Sequence, residues 1–243
     1  LEGALMDQMV NYLESHELLP VTQHAYRKGK SCVSAWEEID SIVRKARDEG
    51  RACAMLMTDL KGAFNCLSKE TFLPKLRMAG FSLHSLQLLE TYLSNRHNSC
   101  KVESITSRPR EVLTGVGEGS SAGPIYWLCH VLCSPEVVKR TKRILEDFED
   151  DRHPPHIPIL RSSVPGVKGG FEIYEVTFAD DENHVLVGDS NEQLLQVMYV
   201  LQEEYTAYYK SLGLMESRQK QQHIIWSKWR EEGNTYILQY ISP

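Results

Sequence analysis

The feature that most constrains the fold is an uncharged apolar segment, residues 52–58, which is followed directly by Asp59. The segment is too short for a typical helix and has the length of a strand. A strand that is apolar at successive positions is buried on both faces, so the sheet that contains it must be covered on each side. The sequence therefore predicts an internal β-strand that ends at a carboxylate.

A second acidic site lies far along the chain, where Asp180 and Asp181 separate two segments with strand character, residues 171–178 and 183–187. These segments predict two strands that flank a tight turn. Adjacent carboxylates repel each other, and Mg²⁺, which prefers carboxylate oxygens, would remove that repulsion. Taken singly, an Asp-Asp turn is most simply a solvated turn and Asp59 a helix cap, so function depends on what surrounds them.

The remaining patterns predict an α+β protein without internal repeats. One helix ends by Pro20, and another, capped by Ser31, is expected to bury Val33, Trp36, Ile39 and Val43 on one face and to stop at residues 48–50. The other predicted elements are helices after Ser68 and Ser82 and over residues 122–133, 135–151 and 191–212, a hairpin of residues 99–105 and 109–114, a loop at 152–170, and strands at 222–227 and 235–241.

Composition limits the environment of the protein. The 243 residues include 42% hydrophobic side chains, enough for a sizeable core, and no apolar stretch approaches the ~18 residues of a membrane span. The six cysteines fit no zinc pattern or disulfide framework. We therefore expect free thiols and an intracellular, reducing compartment, the nucleus or cytoplasm, with an organelle as the alternative. The net charge of −6 argues mildly against nucleic-acid binding, although residues 26–30 are locally basic.

Six segments have the character and order of known motifs. They include an aromatic residue before Arg-Lys-Gly, the run Asp-Leu-Lys-Gly-Ala-Phe, a glycine-rich loop, and Phe-Ala-Asp-Asp. The segments are residues 23–31, 59–64, 93–96, 115–124, 178–181 and 213–226. Together they resemble the reverse transcriptases, or RNA-directed DNA polymerases, of non-LTR retrotransposons over most of the chain.

The resemblance implies a fold and a division of the chain. The expected fold is the palm of a right-hand polymerase, an antiparallel sheet packed on helices, with partial fingers and no evident thumb. Residues 1–50 would be the partial fingers and residues 51–230 the palm, with a charged, proline-rich insertion at residues 135–170. Residues 231–243 would form a C-terminal strand or the start of a missing thumb. The chain is therefore expected to be a fragment of a larger protein, or a fold kept for another use.

The resemblance also implies a role for each matching residue. Asp59, Asp180 and Asp181, with the backbone carbonyl of Leu60, would bind two Mg²⁺ ions. The nucleotide- and template-binding residues would be Arg27, Lys30, Phe64, Gly115, Glu118, Gly119 and Lys220. Phe64 would be the steric gate that excludes ribonucleotides, and Lys220 an acid for the leaving pyrophosphate. The alternatives are a core aromatic for Phe64, an ordinary turn for the glycines, and solvated surface cations for the basic residues.

Three functions follow from this pattern. The first is an RNA-directed DNA polymerase that transfers deoxynucleotides to a primer, with RNA template and DNA primer as partners. The second is a domesticated, catalytically silent subunit whose partners are proteins of a larger assembly. It is favoured by Glu118, which stands where the family has glutamine and would repel a triphosphate. The third, weaker hypothesis is an RNA-binding module without chemistry.

Overall fold

The computed structural model describes residues 2–117, 120–147, 170–217, 219–226 and 235–239. The chain forms two compact units that are interleaved along the sequence. The first, the helical unit, comprises Leu1–Leu19, Gly62–Leu132 and Leu212–Leu214, and the second, the sheet unit, comprises Pro20–Lys61, Cys133–Ser211 and Met215–Pro243. The predicted boundary at residue 50 does not coincide with these units, and the names fingers and palm for parts of the chain stay a prediction.

The helices and strands follow the sequence patterns closely. The helices are α1 (Glu2–Ser15), α2 (Cys32–Asp48), α3 (Lys69–Met78), α4 (Leu83–Leu93), α5 (Ala122–His130), α6 (Ser134–Asp147) and α7 (Asn191–Ser211). The strands are β1 (Ala52–Thr58), β2 (His97–Asn98), β3 (Lys101–Val102), β4 (Ile105–Thr106), β5 (Arg110–Glu111), β6 (Glu172–Phe178), β7 (Asp181–Gly188), β8 (Gln222–Trp226) and β9 (Thr235–Gln239). The predicted caps Ser31, Ser68 and Ser82 each accept a backbone N–H of the helix that follows, as capping side chains do.

The sheet unit is built on five strands in the order β6-β7-β1-β8-β9, and every adjacent pair is antiparallel. Strand β1 is the central strand and is buried along almost its whole length, as predicted. Strand β7 begins at Asp181, two residues earlier than predicted, because Phe178 pairs with Asp181 and leaves only Ala179 and Asp180 in the turn. Asp181 is therefore part of the sheet and shares its rigidity.

Each face of the sheet packs against helices. Ile39 and Val43 of α2 lie in one core cluster with Met55 of β1 and Val185 of β7, and α7 packs against β1 and β7. Since side chains alternate along a strand, Glu182 and His184 project from the face opposite Val185. The charged residues Asp181 and Glu182 are thus neighbours in sequence on opposite faces of one sheet.

The prediction that Val33 and Trp36 are buried is wrong. They are 65% and 55% exposed, and the buried stripe of α2 runs instead through Ala35, Ile39, Val43 and Ala46. The first turn of the helix lies where the sheet's apolar face gives way to a cleft, which leaves these two large side chains with less to pack against.

The helical unit contains α1, α3, α4 and α5 and four two-residue strands. The predicted hairpin of residues 99–105 with 109–114 is wrong in its pairing, because β3 pairs with β4 across a tight turn and β2 pairs separately with β5. The turn is closed by Glu103, whose φ of 54° is left-handed. Two shorter ladders therefore replace the single one.

Some predictions lie outside the described residues. This applies to residues 148–151 of the predicted sixth helix, to the loop at 152–169, and to residues 231–234 and 240–243 at the C-terminal end. All six cysteines are described, and none of them forms a disulfide. Among the described helices, none has the length and apolar character needed to cross a membrane.

Candidate metal-binding cleft

Asp59 and Asp181 lie at the same end of two neighbouring strands, β1 and β7. Thr58, the last residue of β1, pairs with Glu182 of β7, so the antiparallel register brings the next residues, Asp59 and Asp181, opposite each other. The period of two places Asp59 on the face of Met55 and Asp181 on the face of Val185, which is the face covered by α2. Two carboxylates that are distant in sequence are thus adjacent in the fold.

The electrostatics of the site follow from this proximity. Partial burial raises the pKa of Asp181, and the charges of Asp180 and Asp59 raise it further, whereas the Lys220 ammonium lowers it. Like-charged carboxylates that share a site oppose each other's ionisation. The strand ends and the turn between β6 and β7 therefore hold three carboxylates, Asp59, Asp180 and Asp181, close together. A bound cation would relieve their repulsion.

A cleft of about 560 Å³ opens beside these carboxylates. Asp59 and Asp181 line it together with Lys220, and Trp36 and Ile39 of α2 form part of its wall. The exposed ring of Trp36 is thus a surface of the cleft, a role that its apolar character alone did not indicate. The cleft lies entirely within the sheet unit.

The backbone around Asp59 is fixed by residues 215–217. Lys61 N donates to the carbonyl of Met215 at 2.8 Å, and Ser217 N donates to the carbonyl of Asp59 at 2.7 Å. Leu60 lies between these two bonds, is buried, and forms an isolated bridge with Glu216. Neither bond uses the Leu60 carbonyl oxygen, and its role as a metal ligand stays a prediction.

Lys220 contacts the carboxylate of Asp59 directly. Its Nζ lies 3.3 Å from Oδ2 and 3.4 Å from Oδ1, and the lysine side chain is 70% exposed. Exposed ion pairs of this kind contribute little to stability. The contact shows that the space beside Asp59 accommodates a cation, and it places an ammonium group within the cleft.

The turn that carries Asp180 is held by a buried glutamine. Gln23 is 1% exposed. Its Oε1 accepts the N–H of Ala179 at 3.0 Å, and its Nε2 donates to the carbonyl of Ala179 at 3.3 Å. Ala179 has a φ of 54°, a left-handed conformation that is unfavourable for residues other than glycine. The side chain of Gln23 therefore fixes both backbone groups of the strained residue directly before Asp180.

Gln23 and Tyr26, in the motif of residues 23–31, lie at the acidic turn, which the sequence did not indicate. Gln23 belongs to the motif of residues 23–31 but had no predicted role of its own. Its partner Ala179 lies 156 positions away in the sequence. Tyr26 also lies near the site. Burial raises the pKa of its phenol, and the nearby charge of Asp180 raises it further. The loop of residues 20–30 thus supports the acidic turn in addition to carrying positive charge.

Comparison with known proteins identifies relatives of this chain. The chain is 25% identical over 152 residues to the "Probable RNA-directed DNA polymerase from transposon X-element" of Drosophila melanogaster. It is 24% identical over 155 residues to the corresponding protein from transposon BS of the same organism. The chain is a relative of the reverse transcriptases of non-LTR retrotransposons. Each match covers 62% of this chain, which spans only 17% of the length of these curated relatives.

Solved structures agree on the fold. Apo telomerase from Candida tropicalis, truncated from its C-terminal domain, superposes with a TM-score of 0.60 at 11% identity and covers 97% of this chain and 42% of its own. Telomerase from Candida albicans, in complex with a fragment of telomeric RNA, gives a TM-score of 0.54 at 13% identity over 95% of this chain and 34% of its own. No family model matches the sequence. The mixed helical and antiparallel architecture is thus that of a partial polymerase palm, as predicted.

The other predicted residues of this reverse-transcriptase relative fall into two groups. Phe64 and Gly115 belong to the helical unit, where Phe64 packs on Trp127 with ring centroids 5.6 Å apart. Gly115 has a φ of 79°, and a Cβ there would lie 2.8 Å from the carbonyl oxygen of Asn65. Glycine is therefore required at position 115 by the protein's own backbone, and contact of either residue with a nucleotide stays a prediction.

The predicted basic contacts have partners within their own loop. Arg27 Nη1 donates to the carbonyl of Pro20 at 2.6 Å, and Lys30 Nζ donates to the carbonyl of Val21. These bonds shape the loop of residues 20–30, and phosphate binding by either side chain stays a prediction. Glu118 and Gly119 lie outside the described residues.

Proposed function

We propose that this chain is the catalytic core of an RNA-directed DNA polymerase, which transfers deoxynucleotides to a primer 3′-hydroxyl by two-metal catalysis. The observation that carries the proposal is the register of β1 and β7, which sets Asp59 opposite Asp181 in one cleft. The names of the two transposon polymerases support the reaction class. The chain spans only 17% of the length of these relatives. The polymerase activity is therefore proposed for this chain and is not inferred from their names alone.

The donor set of the cleft fits Mg²⁺. Carboxylate oxygens are the ligands that this hard cation prefers, and it retains water and substrate phosphates as its remaining ligands. Asp59, Asp180 and Asp181 would hold the ions, with the Leu60 carbonyl. When bound, two such ions activate the attacking hydroxyl and stabilise the leaving pyrophosphate.

The protein's own contribution is positioning and proton supply. Asp59 and Asp181 extend paired strands, so their backbones are fixed by the sheet, and sites built on such elements hold their geometry better than sites on loops. Lys220, whose ammonium already lies in the cleft, would donate a proton to the leaving pyrophosphate as a general acid. Phe64 would exclude the ribose 2′-hydroxyl, and the loop with Arg27 and Lys30 would contact the RNA template.

The test is primer extension on an RNA template with Mg²⁺ and deoxynucleotides. Asp181→Asn should reduce extension by more than the ~10- to 100-fold that is typical of residues which only orient metal ligands. Asp189→Asn is the matched control, because Asp189 is exposed directly after the opposite end of β7. Its extension rate should equal that of the unmodified chain. Equal rates for all three proteins would refute the assignment of Asp181.

A metal-binding measurement separates the polymerase from the silent subunit. Mn²⁺ can replace Mg²⁺ at carboxylate sites and is detected by electron paramagnetic resonance. Mn²⁺ binding that Asp181→Asn abolishes, without any extension, would identify a copy that keeps the site but not the reaction. Glu118, which adds negative charge to the second motif, favours that reading over the RNA-binding module.

A further inference from the structure

A second group of metal-ligating side chains lies on the other face of the same hairpin. Glu175 of β6 pairs directly with His184 of β7, and Glu182 lies two residues before His184, so all three project from the face that packs on α7. One ligand atom from each of the three lies within 4.8 Å of the other two. All three side chains are buried. The cluster lies on the face of the sheet opposite α2, and of its three residues only Glu182 also lines the cleft.

His184 is the observation that points to a ligand. The residue is completely buried, and among the described residues neither Nδ1 nor Nε2 has a hydrogen-bond partner. A buried polar atom without a partner costs about 1–3 kcal/mol, so the two nitrogens of this ring call for a ligand or another compensating group. Its one described ring contact is with Tyr205, at a centroid distance of 4.3 Å, which supplies packing but no acceptor or donor.

The two carboxylates are already oriented as ligands would be. Thr22 Oγ1 and the Tyr205 hydroxyl donate to the two oxygens of Glu175 at 2.7 and 2.6 Å, and the Tyr209 hydroxyl donates to Glu182. Metal ligands are characteristically held by such outer hydrogen bonds. Two buried carboxylates this close repel each other unless a proton or a cation lies between them.

We propose that Glu175, Glu182 and His184 form a buried site for a divalent transition-metal ion of the zinc class. Carboxylate oxygens and imidazole nitrogen are all zinc ligands, and a site with three protein ligands leaves a fourth position for water. Mg²⁺ fits less well, because it binds imidazole poorly and keeps several waters that a buried site cannot hold. The ion would be structural, fixing β6 to β7 behind the turn that carries Asp180 and Asp181.

Metal analysis of the whole chain tests the site. Protein purified without chelators should contain about one zinc ion per chain by mass spectrometry, because binding of such an ion is coupled to folding. His184→Gln should lose the metal. His130→Gln is the matched control, because His130 is also buried but the charge acting on it is the ammonium of Lys75. Asp59→Asn, which alters the cleft, should keep the zinc.

Two measurements on the unmodified chain keep the proposal testable if His184→Gln fails to fold. Chelator treatment should lower the melting temperature, and one equivalent of Zn²⁺ should restore it. Co²⁺ in place of zinc should give a visible spectrum without the charge-transfer band that a cysteine thiolate bound to the ion would add. Failure of the stripped chain to bind Zn²⁺, a thiolate band, or zinc loss in Asp59→Asn would each overturn the site. None of these readouts requires polymerase activity.

Discussion

Replacement of Gln23 by alanine should loosen the acidic turn and destabilise the fold. The side chain of Gln23 satisfies three backbone groups, the N–H of Ala25 at 2.9 Å and the N–H and carbonyl of Ala179. Each buried group left without a partner costs about 1–3 kcal/mol. Water that enters the space vacated by the side chain would recover part of this, so we expect a loss of about 3 kcal/mol in the free energy of unfolding.

The same substitution should weaken metal binding, because it removes the contacts that hold Ala179 in a left-handed conformation. That conformation costs about 1–2 kcal/mol for a non-glycine residue. Without Gln23, relaxation of Ala179 to a right-handed conformation would be favourable and would move Asp180. We therefore expect Gln23→Ala to reduce Mn²⁺ affinity by about tenfold, equivalent to 1.4 kcal/mol. Denaturant titration measures the first effect and electron paramagnetic resonance the second.

Gln193 provides the control. Its Oε1 accepts the N–H of Asp189 at 2.7 Å, at the end of β7 remote from the acidic turn. Gln193→Ala should cost about 1 kcal/mol in stability and leave Mn²⁺ affinity unchanged. The reasoning is refuted if Gln23→Ala alters stability by less than about 0.5 kcal/mol, as surface substitutions do, or if both variants weaken Mn²⁺ binding equally.

Three further predictions concern the proposed steric gate Phe64, the proposed general acid Lys220 and the buried carboxylate of Glu182. Phe64→Val should raise ribonucleotide incorporation relative to deoxynucleotides by about 10- to 100-fold, the equivalent of relieving a 1–3 kcal/mol steric clash, whereas Phe64→Tyr should not. Lys220→Ala should slow extension by about a hundredfold, and since Lys220 lowers the pKa of Asp181, its loss should move the acidic limb of the pH–rate profile to higher pH. Burial and the charge of Glu175 raise the pKa of Glu182 from 4.5 to about 8 in the metal-free chain. The folded chain therefore binds a proton there that the unfolded chain releases, and the free energy of unfolding should fall by up to about 1.4 kcal/mol per pH unit as the pH rises through this range. Glu182→Gln should abolish that slope in a pH series of denaturant titrations, and a slope that persists would contradict the assignment.

Local signals explain why most of the fold was predictable. The apolar run before Asp59 and the short turn at residues 179–180 each determine a strand end without reference to distant residues, and the three serine caps likewise act over one helical turn. The convergence of Asp59 with Asp181 did not follow from such signals. It was implied by the order of the motifs, and the β1–β7 register accounts for it physically.

The errors and omissions come from contacts between distant segments. The buried stripe of α2 was misplaced at Trp36 because helical periodicity specifies a face but not where the opposing sheet ends. The role of Gln23 depends on Ala179, which no local pattern connects to it. Glu182 has no place among the predicted site residues, yet strand alternation alone requires the residue after Asp181 to point to the opposite face.

That alternation explains how three consecutive acidic residues can serve two different environments. A shift of β7 by one residue would exchange its faces, turning Asp181 toward α7 and Glu182 toward α2. The hydrogen bond from Tyr209 to Glu182 opposes such a shift on the α7 face, and the bonds from Gln23 to Ala179 oppose it at the turn. The buried carboxylate of Glu182 therefore contributes to the position of its neighbour Asp181. By fixing the register, it ensures that the exposed carboxylate faces the cleft, where a solvated and exchangeable cation can bind.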